Sequence, residues 1–113
     1  MPPCHHRHDS TLTLTSTDGA YKIKESLKAL AAANVTEVAI TELDITDAPP
    51  AEYEEVVTAC YWVPTCVGIT VWGVRDNESY RAAEHPLLFG ESWAPKDAYY
   101  DIRDYLRKLP GNA

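Results

Sequence analysis

Residues 35–46 read VTEVAITELDIT. Within them, Val38 to Leu43 is a short, nearly continuous apolar run with β-branched residues, which is typical of a strand buried on both faces of a parallel sheet. Because side chains alternate along a strand, Glu42 is expected to point the same way as Val38 and Ile40. An unpaired buried carboxylate costs several kcal/mol, so Glu42 indicates either the mouth of a site or an acid that has left the sheet to cap the next turn.

The segments around this strand predict the order helix, strand, helix, strand, helix. The other expected elements are a helix from Ala20 to Ala33, a helix from Ala51 to Tyr61, a strand from Val67 to Trp72 and a helix from Pro95 to Leu109. The side chains expected to face the core from the helices are Tyr21, Leu27, Leu30, Ala31, Val56, Val57, Cys60, Ala98, Ile102, Tyr105, Leu106 and Leu109. Two parallel strands joined by a crossover helix predict an α/β fold whose sheet has further strands.

Length and charge limit the classes of partner. The 113 residues suffice for one small domain, and the formal net charge is −7. Nucleic acid and anionic membrane surfaces would repel such a chain, so neither is expected as a partner. No stretch approaches the ~20 apolar residues that cross a bilayer, and Met1 to Ser10 lacks the apolar core of a signal peptide. If the parent protein is secreted, its signal is expected upstream.

The N-terminal segment 1–19 is polar and contains Cys4, His5, His6 and His8. Imidazole and thiolate groups suit zinc or copper, but these residues follow two prolines without a periodic scaffold. A frayed terminus is therefore favoured over a metal site, and no metal or cofactor is predicted. The alternation of threonine with leucine and serine at positions 11–17 fits a short strand and a loop equally well.

Two further features each have two interpretations. Cys60 and Cys66 bracket a short link between a helix and a strand, so they form either a disulfide, which is what we predict, or two reduced and partly buried thiols. A disulfide implies an oxidising compartment. Trp72 ends a strand and precedes a glycine, so its indole either faces a ligand or packs in the core.

Several segments, in this order, resemble the C-terminal portion of glycoside hydrolase family 10, a family of endo-1,4-β-xylanases, and its fungal branch in particular. The segments are Val38–Ile45, Cys60 with Cys66, Val67–Val74, Asp76, Ser79–Arg81, Pro86–Phe89 and Pro95–Tyr99. The resemblance runs from about Ala20 to Leu109. It predicts two parts, an unmatched polar segment 1–19 and a C-terminal barrel portion 20–113.

The resemblance implies a C-terminal fragment of a (β/α)8 TIM barrel. Val38–Leu43 would be the seventh strand and Val67–Trp72 the eighth, in a fold that usually takes about 250 residues. Side chains expected to lean toward the barrel axis are those of Val38, Ile40, Thr70 and Trp72. Strand edges without neighbours favour association between chains, so self-association is expected.

The resemblance also implies site residues. The glutamate of the family's Thr-Glu-Leu-Asp motif is its nucleophile, which here is Glu42, at the C-terminal end of a barrel strand. Asp44 would help to orient it through a histidine, for which His8 is the candidate. Trp72 matches the tryptophan under the sugar at the cleavage point, and Tyr80 stands where the family usually has a second tryptophan.

Retaining hydrolysis needs a second carboxyl group as acid and base. The family takes it from an Asn-Glu motif on the fourth strand, which has no counterpart here, because Asn77-Glu78 lies in the loop after the eighth strand. The resemblance thus implies a secreted, extracellular endo-1,4-β-xylanase acting on xylan or xylo-oligosaccharides, with this chain inactive alone. The alternative is a non-catalytic sugar-binding module or a half-barrel that needs another chain.

Overall fold

The structure is a computed structural model that describes the backbone of residues 9–14 and the whole of residues 22–111. Its helices and strands are β1 (Asp9–Leu14), α1 (Ile23–Ala32), β2 (Glu37–Leu43), α2 (Pro50–Trp62), β3 (Cys66–Val71) and α3 (Asp97–Lys108). Two short 3-10 turns, Asp76–Glu78 and Ala82–Glu84, lie in the loop between β3 and α3. Of the described helices, none is long and apolar enough to cross a membrane.

The three strands form one parallel sheet in the order β1-β2-β3. The α/β fold and the pairing of the two expected strands are therefore confirmed. The strand Asp9–Leu14 also decides between strand and loop in this part of the chain, in favour of the strand. A central place between two parallel neighbours explains why β2 is the most continuous apolar run of the sequence.

The main core lies between one face of the sheet and the helices. Val38, Ile40 and Leu43 of β2 are almost fully buried there. The helices contribute Ile23, Leu27, Tyr53, Val56, Ala59, Cys60 and Ala98 to the same cluster. Proline at the start of α2 suits a helix N-terminus, because its fixed φ is already helical and its missing N–H would have no partner there. Ile23, Tyr53 and Ala59 are core residues that the sequence periodicity did not single out.

A β-bulge in β2 changes which side chains face this core. Ile40 is opposite Leu12 and Glu42 is opposite Thr13, so Thr41 is an extra residue. The buried positions are Val38, Ile40 and Leu43, so the spacing between them changes from two residues to three at the bulge. The expectation that Glu42 points the same way as Val38 and Ile40 is wrong, because the bulge shifts the alternation. Val38 and Ile40 face the helices and not the side that would be a barrel axis.

The expected helices are confirmed with shifted bounds. The helix expected from Pro95 begins at Asp97, because Pro95 forms an isolated bridge with Phe89. Ala98 is buried as expected, whereas Leu106 is 38% exposed, so its assignment to the core is wrong. Leu106 lines an open apolar cleft between α2, α3 and β3 and lacks a covering layer among the described residues. Tyr21 lies outside the described residues.

The predicted disulfide between Cys60 and Cys66 is present, with a Cα–Cα distance of 5.3 Å. It joins the end of α2 to the start of β3 and so fixes the crossover between β2 and β3. Cys4 lies outside the described residues.

Reduction of this disulfide is expected to lower the free energy of unfolding by roughly 2 to 3 kcal/mol, because the short covalent loop restricts the unfolded chain. Urea unfolding with and without reductant measures the difference, and peptide mapping without reduction should recover the two cysteine peptides linked. As a control, a Cys60→Ala/Cys66→Ala double variant should not respond to reductant. Recovery of both cysteines as alkylated thiols from oxidised material would show that the pairing is wrong.

Candidate active site

A polar and an aromatic residue lie at the carboxyl ends of two adjacent strands. Glu42 is the penultimate residue of β2, and Trp72 directly follows β3. The backbone N–H of Trp72 donates to the carbonyl oxygen of Leu43 at 2.9 Å, which brings these two strand ends together. The carboxyl edge of a parallel α/β sheet is where such folds place their ligands.

Glu42 occupies the sheet face that the helices do not cover. Its neighbour Leu43 is 1% exposed within the core on the helix side, and successive side chains of a strand point to opposite faces. Glu42 itself is half-buried. The bulge at Thr41 therefore has a consequence for the site, because it turns the Glu42 carboxylate away from the apolar core.

Asp44 is held by an arginine from the loop after β3. It is 1% exposed, and its Oδ1 accepts a hydrogen bond from Arg81 Nη1 at 2.6 Å. Arg81 also donates from Nη2 to Thr46 Oγ1 at 2.8 Å and from Nε to Glu84. The guanidinium thereby ties the residues after β2 to a segment 37 positions along the chain.

The charges around Arg81 keep it protonated. Burial by itself lowers the pKa of the guanidinium, but hydrogen bonds to Glu84 and Asp44, together with their negative charges, outweigh burial and raise that pKa. The buried Asp44 carboxylate thus faces a permanent cation. Arg81 is a site residue that sequence analysis did not single out, although its segment Ser79–Arg81 was among those that carried the family resemblance.

The two candidate aromatic residues are both accessible. Trp72 is 48% exposed, so core packing, one of its two interpretations, does not describe it. Tyr80 is 68% exposed and directly precedes Arg81, whose side chain is only 15% exposed. The contacts of Arg81 therefore fix the segment that carries the Tyr80 ring, while the ring remains free to meet a ligand.

A second buried carboxylate stabilises the same loop. Asp76 is 4% exposed, and it accepts hydrogen bonds from Leu87 N at 2.8 Å and from Lys96 Nζ at 2.9 Å. The Tyr53 hydroxyl donates to Pro86 O at 2.5 Å. Burial raises the pKa of Tyr53, and the negative charges of Asp44 and Asp76 raise it further, so this hydroxyl remains a donor.

The sequence also drew attention to Glu78 as an acid in the loop after β3 and to Cys4 and the N-terminal histidines as metal-ligating residue types. Glu78 lies in the 3-10 turn after β3 and is paired with Arg75 at 2.6 Å, as befits a loop residue. Within residues 22–111, no group of three or more His, Cys, Asp or Glu side chains is arranged to hold a metal ion. His5, His6 and Cys4, and the candidate orienting histidine His8, lie outside the described residues.

The comparison with protein families agrees with this arrangement. The model of glycosyl hydrolase family 10 matches residues 5–105. The chain belongs to glycosyl hydrolase family 10. The family predicted from the motifs is thereby confirmed, and the matched range begins inside the segment 1–19, as does strand β1.

Two of the relatives of this family 10 chain are fungal xylanases. Endo-1,4-beta-xylanase 3 of Hypocrea jecorina is 54% identical over 77 residues, which cover 68% of this chain and 22% of that protein. Endo-1,4-beta-xylanase 2 of Claviceps purpurea is 53% identical over 77 residues, with 68% and 23% covered. The chain thus spans about a fifth of the length of these relatives.

Solved family 10 structures share the fold. A GH10 endoxylanase retrieved from a sugarcane soil metagenome matches with a TM-score of 0.71 and 26% identity, over 82% of this chain and 37% of the other. The family 10 likeness therefore extends from the motifs to the spatial arrangement of strands and helices.

Proposed function

We propose that this chain is the nucleophile-bearing C-terminal portion of a retaining endo-1,4-β-xylanase. The observation that carries the proposal is the position of Glu42, which lies at the carboxyl end of a parallel strand and on the face free of helices. The neighbouring strand is β3, which Trp72 directly follows. In a complete barrel, β2 and β3 would serve as the seventh and eighth strands. Strand β1, on the other side of β2, would take the place of the sixth.

Each candidate residue has a role in this chemistry. The Glu42 carboxylate attacks the anomeric carbon of a xylose unit while the bond to the leaving oxygen breaks, and that oxygen takes its proton from the acid that the rest of a complete barrel supplies. Water then hydrolyses the covalent glycosyl intermediate. Asp44, fixed by Arg81, orients the end of β2 that carries the nucleophile. Trp72 and Tyr80 offer exposed aromatic faces on which the sugar rings of xylan stack.

The substrate and the compartment follow from the same features. Xylan has a neutral sugar backbone, which an acidic chain of net charge −7 does not repel. A disulfide between Cys60 and Cys66 suits an oxidising compartment, as expected of a secreted enzyme that degrades an extracellular polysaccharide. The proposed partner is therefore xylan or a xylo-oligosaccharide outside the cell.

The 113-residue chain alone is expected not to hydrolyse xylan, because one carboxylate cannot both attack the sugar and protonate the leaving oxygen. The assay is turnover of xylohexaose by purified protein, followed by chromatography of the products. Turnover that Glu42→Gln abolishes would show this expectation to be wrong, because a single carboxylate would then suffice.

A segment exchange tests the positive part of the proposal. The segment of the Hypocrea jecorina relative that aligns with this chain is replaced by the sequence of this chain, at 54% identity over the aligned residues. Because the exchanged strands would supply the nucleophile to an intact acid and base, kcat is expected to stay within about tenfold of the parent, or about 1.4 kcal/mol. A folded but inactive exchange enzyme would contradict the proposal.

The alternative function is a sugar-binding module without catalysis, or a half-barrel that assembles with another chain. The exposure of Trp72 and Tyr80 favours the first form, since both rings are available without the rest of a barrel. The outer edges of β1 and β3, which have no strand partner among the described residues, favour the second.

Self-association of the isolated chain is expected because its outer strand edges lack strand partners among the described residues. Val67 on edge strand β3 is 61% exposed, and Val74 in the loop after β3 is 51% exposed. Exposed apolar surface beside an unpaired strand edge favours contacts between chains. Size-exclusion chromatography with light scattering should therefore find oligomers whose mass rises with concentration. A monomer that melts cooperatively at every concentration would instead indicate a self-contained small α/β fold.

A further inference from the structure

Trp93 lies in the loop between β3 and α3 and has an unusual backbone conformation. Its φ is +66°, in the left-handed region that L-residues with bulky side chains rarely adopt. The turn is closed by hydrogen bonds from Trp93 N to Gly90 O at 3.1 Å and from Gly90 N to Ala94 O at 3.0 Å. Despite this constraint the side chain is not buried, since 54% of it is exposed. The backbone is thus strained to hold an indole at the surface.

Arg75 supports one face of this indole. Its Cζ lies 4.3 Å from the centroid of the Trp93 ring. The guanidinium is itself fixed, because Nη2 donates to Glu78 Oε1 at 2.6 Å and Nη1 donates to Glu91 O at 3.2 Å. The ring therefore has a rigid backing on one side and remains accessible elsewhere.

The contact with Arg75 does not account for the strain. A left-handed conformation at a bulky residue costs more than an exposed cation–π contact returns. Glycine at position 93 would avoid the cost and leave the ion pair of Arg75 with Glu78 intact. An exposed and rigidly supported aromatic ring that is held at a cost to stability is typical of a ligand-binding surface.

The position of the ring relates it to the candidate active site. Arg75 follows Trp72 by three residues, and its backbone bridges to Phe89 beside the turn that carries Trp93. Trp72, Tyr80 and Trp93 are all exposed, and all belong to the chain that follows the carboxyl end of β3. This is the edge of the sheet where Glu42 lies.

We propose that Trp93, backed by Arg75, is an additional stacking site for a neutral pyranose unit of the xylan chain, beyond Trp72 and Tyr80. This inference rests on the proposed function. The charges favour a neutral sugar, since the loop between β3 and α3, residues 72–96, has a formal net charge of −1, from Arg75, Arg81 and Lys96 against Asp76, Glu78, Glu84 and Glu91. An acidic sugar would meet a region whose side chains sum to a negative charge.

The test is calorimetric titration of the 113-residue chain with xylohexaose, in the wild type and in the variants Trp93→Gly and Trp93→Tyr. Trp93→Gly is expected to raise the dissociation constant by about 2- to 10-fold, the range expected for loss of one aromatic stacking contact. Its thermal midpoint should equal or exceed that of the wild type, because glycine tolerates the left-handed conformation. Trp93→Tyr should keep most of the affinity.

Two controls distinguish this inference from the proposed function. Trp62→Ala removes a tryptophan of similar exposure, 61% against 54%, at the C-terminal end of α2 and should leave the affinity unchanged. Trp72→Ala should weaken binding.

If Trp72→Ala weakens binding while Trp93→Gly binds like the wild type, the inference is wrong and the proposed function stands. If the wild type does not bind xylohexaose, or if Trp72→Ala has no effect, the proposed sugar site is wrong, and the inference with it. Tighter binding of a glucuronic acid-substituted oligosaccharide than of xylohexaose would overturn the preference for a neutral sugar.

Discussion

Replacement of Glu42 by glutamine is expected to lower kcat of the segment-exchange enzyme by at least about 10³-fold, or about 4 kcal/mol of transition-state stabilisation. The amide matches the carboxylate in size and keeps a hydrogen-bond acceptor, but it does not form the glycosyl ester on which the retaining mechanism depends. Because glutamine preserves the shape of the site, KM should change much less than kcat. Steady-state hydrolysis of xylohexaose measures both quantities.

The matched control is Glu55→Gln, which makes the same chemical change on helix α2. Glu55 is exposed and belongs neither to the carboxyl edge of the sheet nor to the loop after β3. Its substitution is therefore expected to leave kcat within about twofold, since an exposed charge contributes little. Equal losses in the two variants would mean that Glu42 has no special role.

The second large effect concerns stability. Arg81→Met is expected to lower the free energy of unfolding of the 113-residue chain by about 3 to 5 kcal/mol, because it leaves the Asp44 carboxylate buried without its cation. Asp44 is 1% exposed and Arg81 is 15% exposed at their side chains, so solvent replaces little of the lost interaction. Urea unfolding at one fixed protein concentration measures the change.

Arg103→Met provides the control for this loss. Arg103 pairs with Asp104 at 3.0 Å, but the two side chains are 38% and 53% exposed, so the substitution should cost less than about 1 kcal/mol. The double variant Arg81→Met/Asp44→Asn should recover part of the stability, since the amide carries no charge to be buried. If Arg81→Met is no more destabilised than Arg103→Met, the buried pair does not hold the loop against the end of β2.

Local sequence patterns predicted the elements well because the relevant forces are local. The apolar run Val38–Leu43 located the central strand, and proline at positions 49 and 50 located the start of α2. The family motif placed Glu42 at the carboxyl end of that strand, and Cys60 and Cys66 lay close enough in sequence to predict their bond. These inferences needed no knowledge of distant parts of the chain.

What the sequence did not predict depends on partners far along the chain. The bulge at Thr41 appears only in the pairing of β2 with β1, so a regular alternation assigned Glu42 to the wrong face. The partner of Asp44 is 37 positions away, and no local pattern identifies Arg81 as that partner. Strand β1 alternates in a way that a loop also allows, and its pairing with β2 is what makes it a strand. Leu106 lies at a position where the helical periodicity of α3 predicts a core residue, yet it is exposed. Whether another element covers such a position depends on the rest of the fold and not on the sequence of the helix.

The most direct test of the central claim is to trap the covalent intermediate in the segment-exchange enzyme. An activated xylobioside with a 2-fluoro substituent forms the glycosyl ester quickly, because its leaving group needs no protonation, and loses it slowly, because fluorine destabilises the oxocarbenium-like transition state. Peptide mass spectrometry of the inactivated enzyme should find one added 2-deoxy-2-fluoroxylobiosyl group on the peptide that contains Glu42, and none after Glu42→Gln. An adduct on any other carboxylate of this chain, or time-dependent inactivation that persists in Glu42→Gln, would contradict the assignment of Glu42 as the nucleophile.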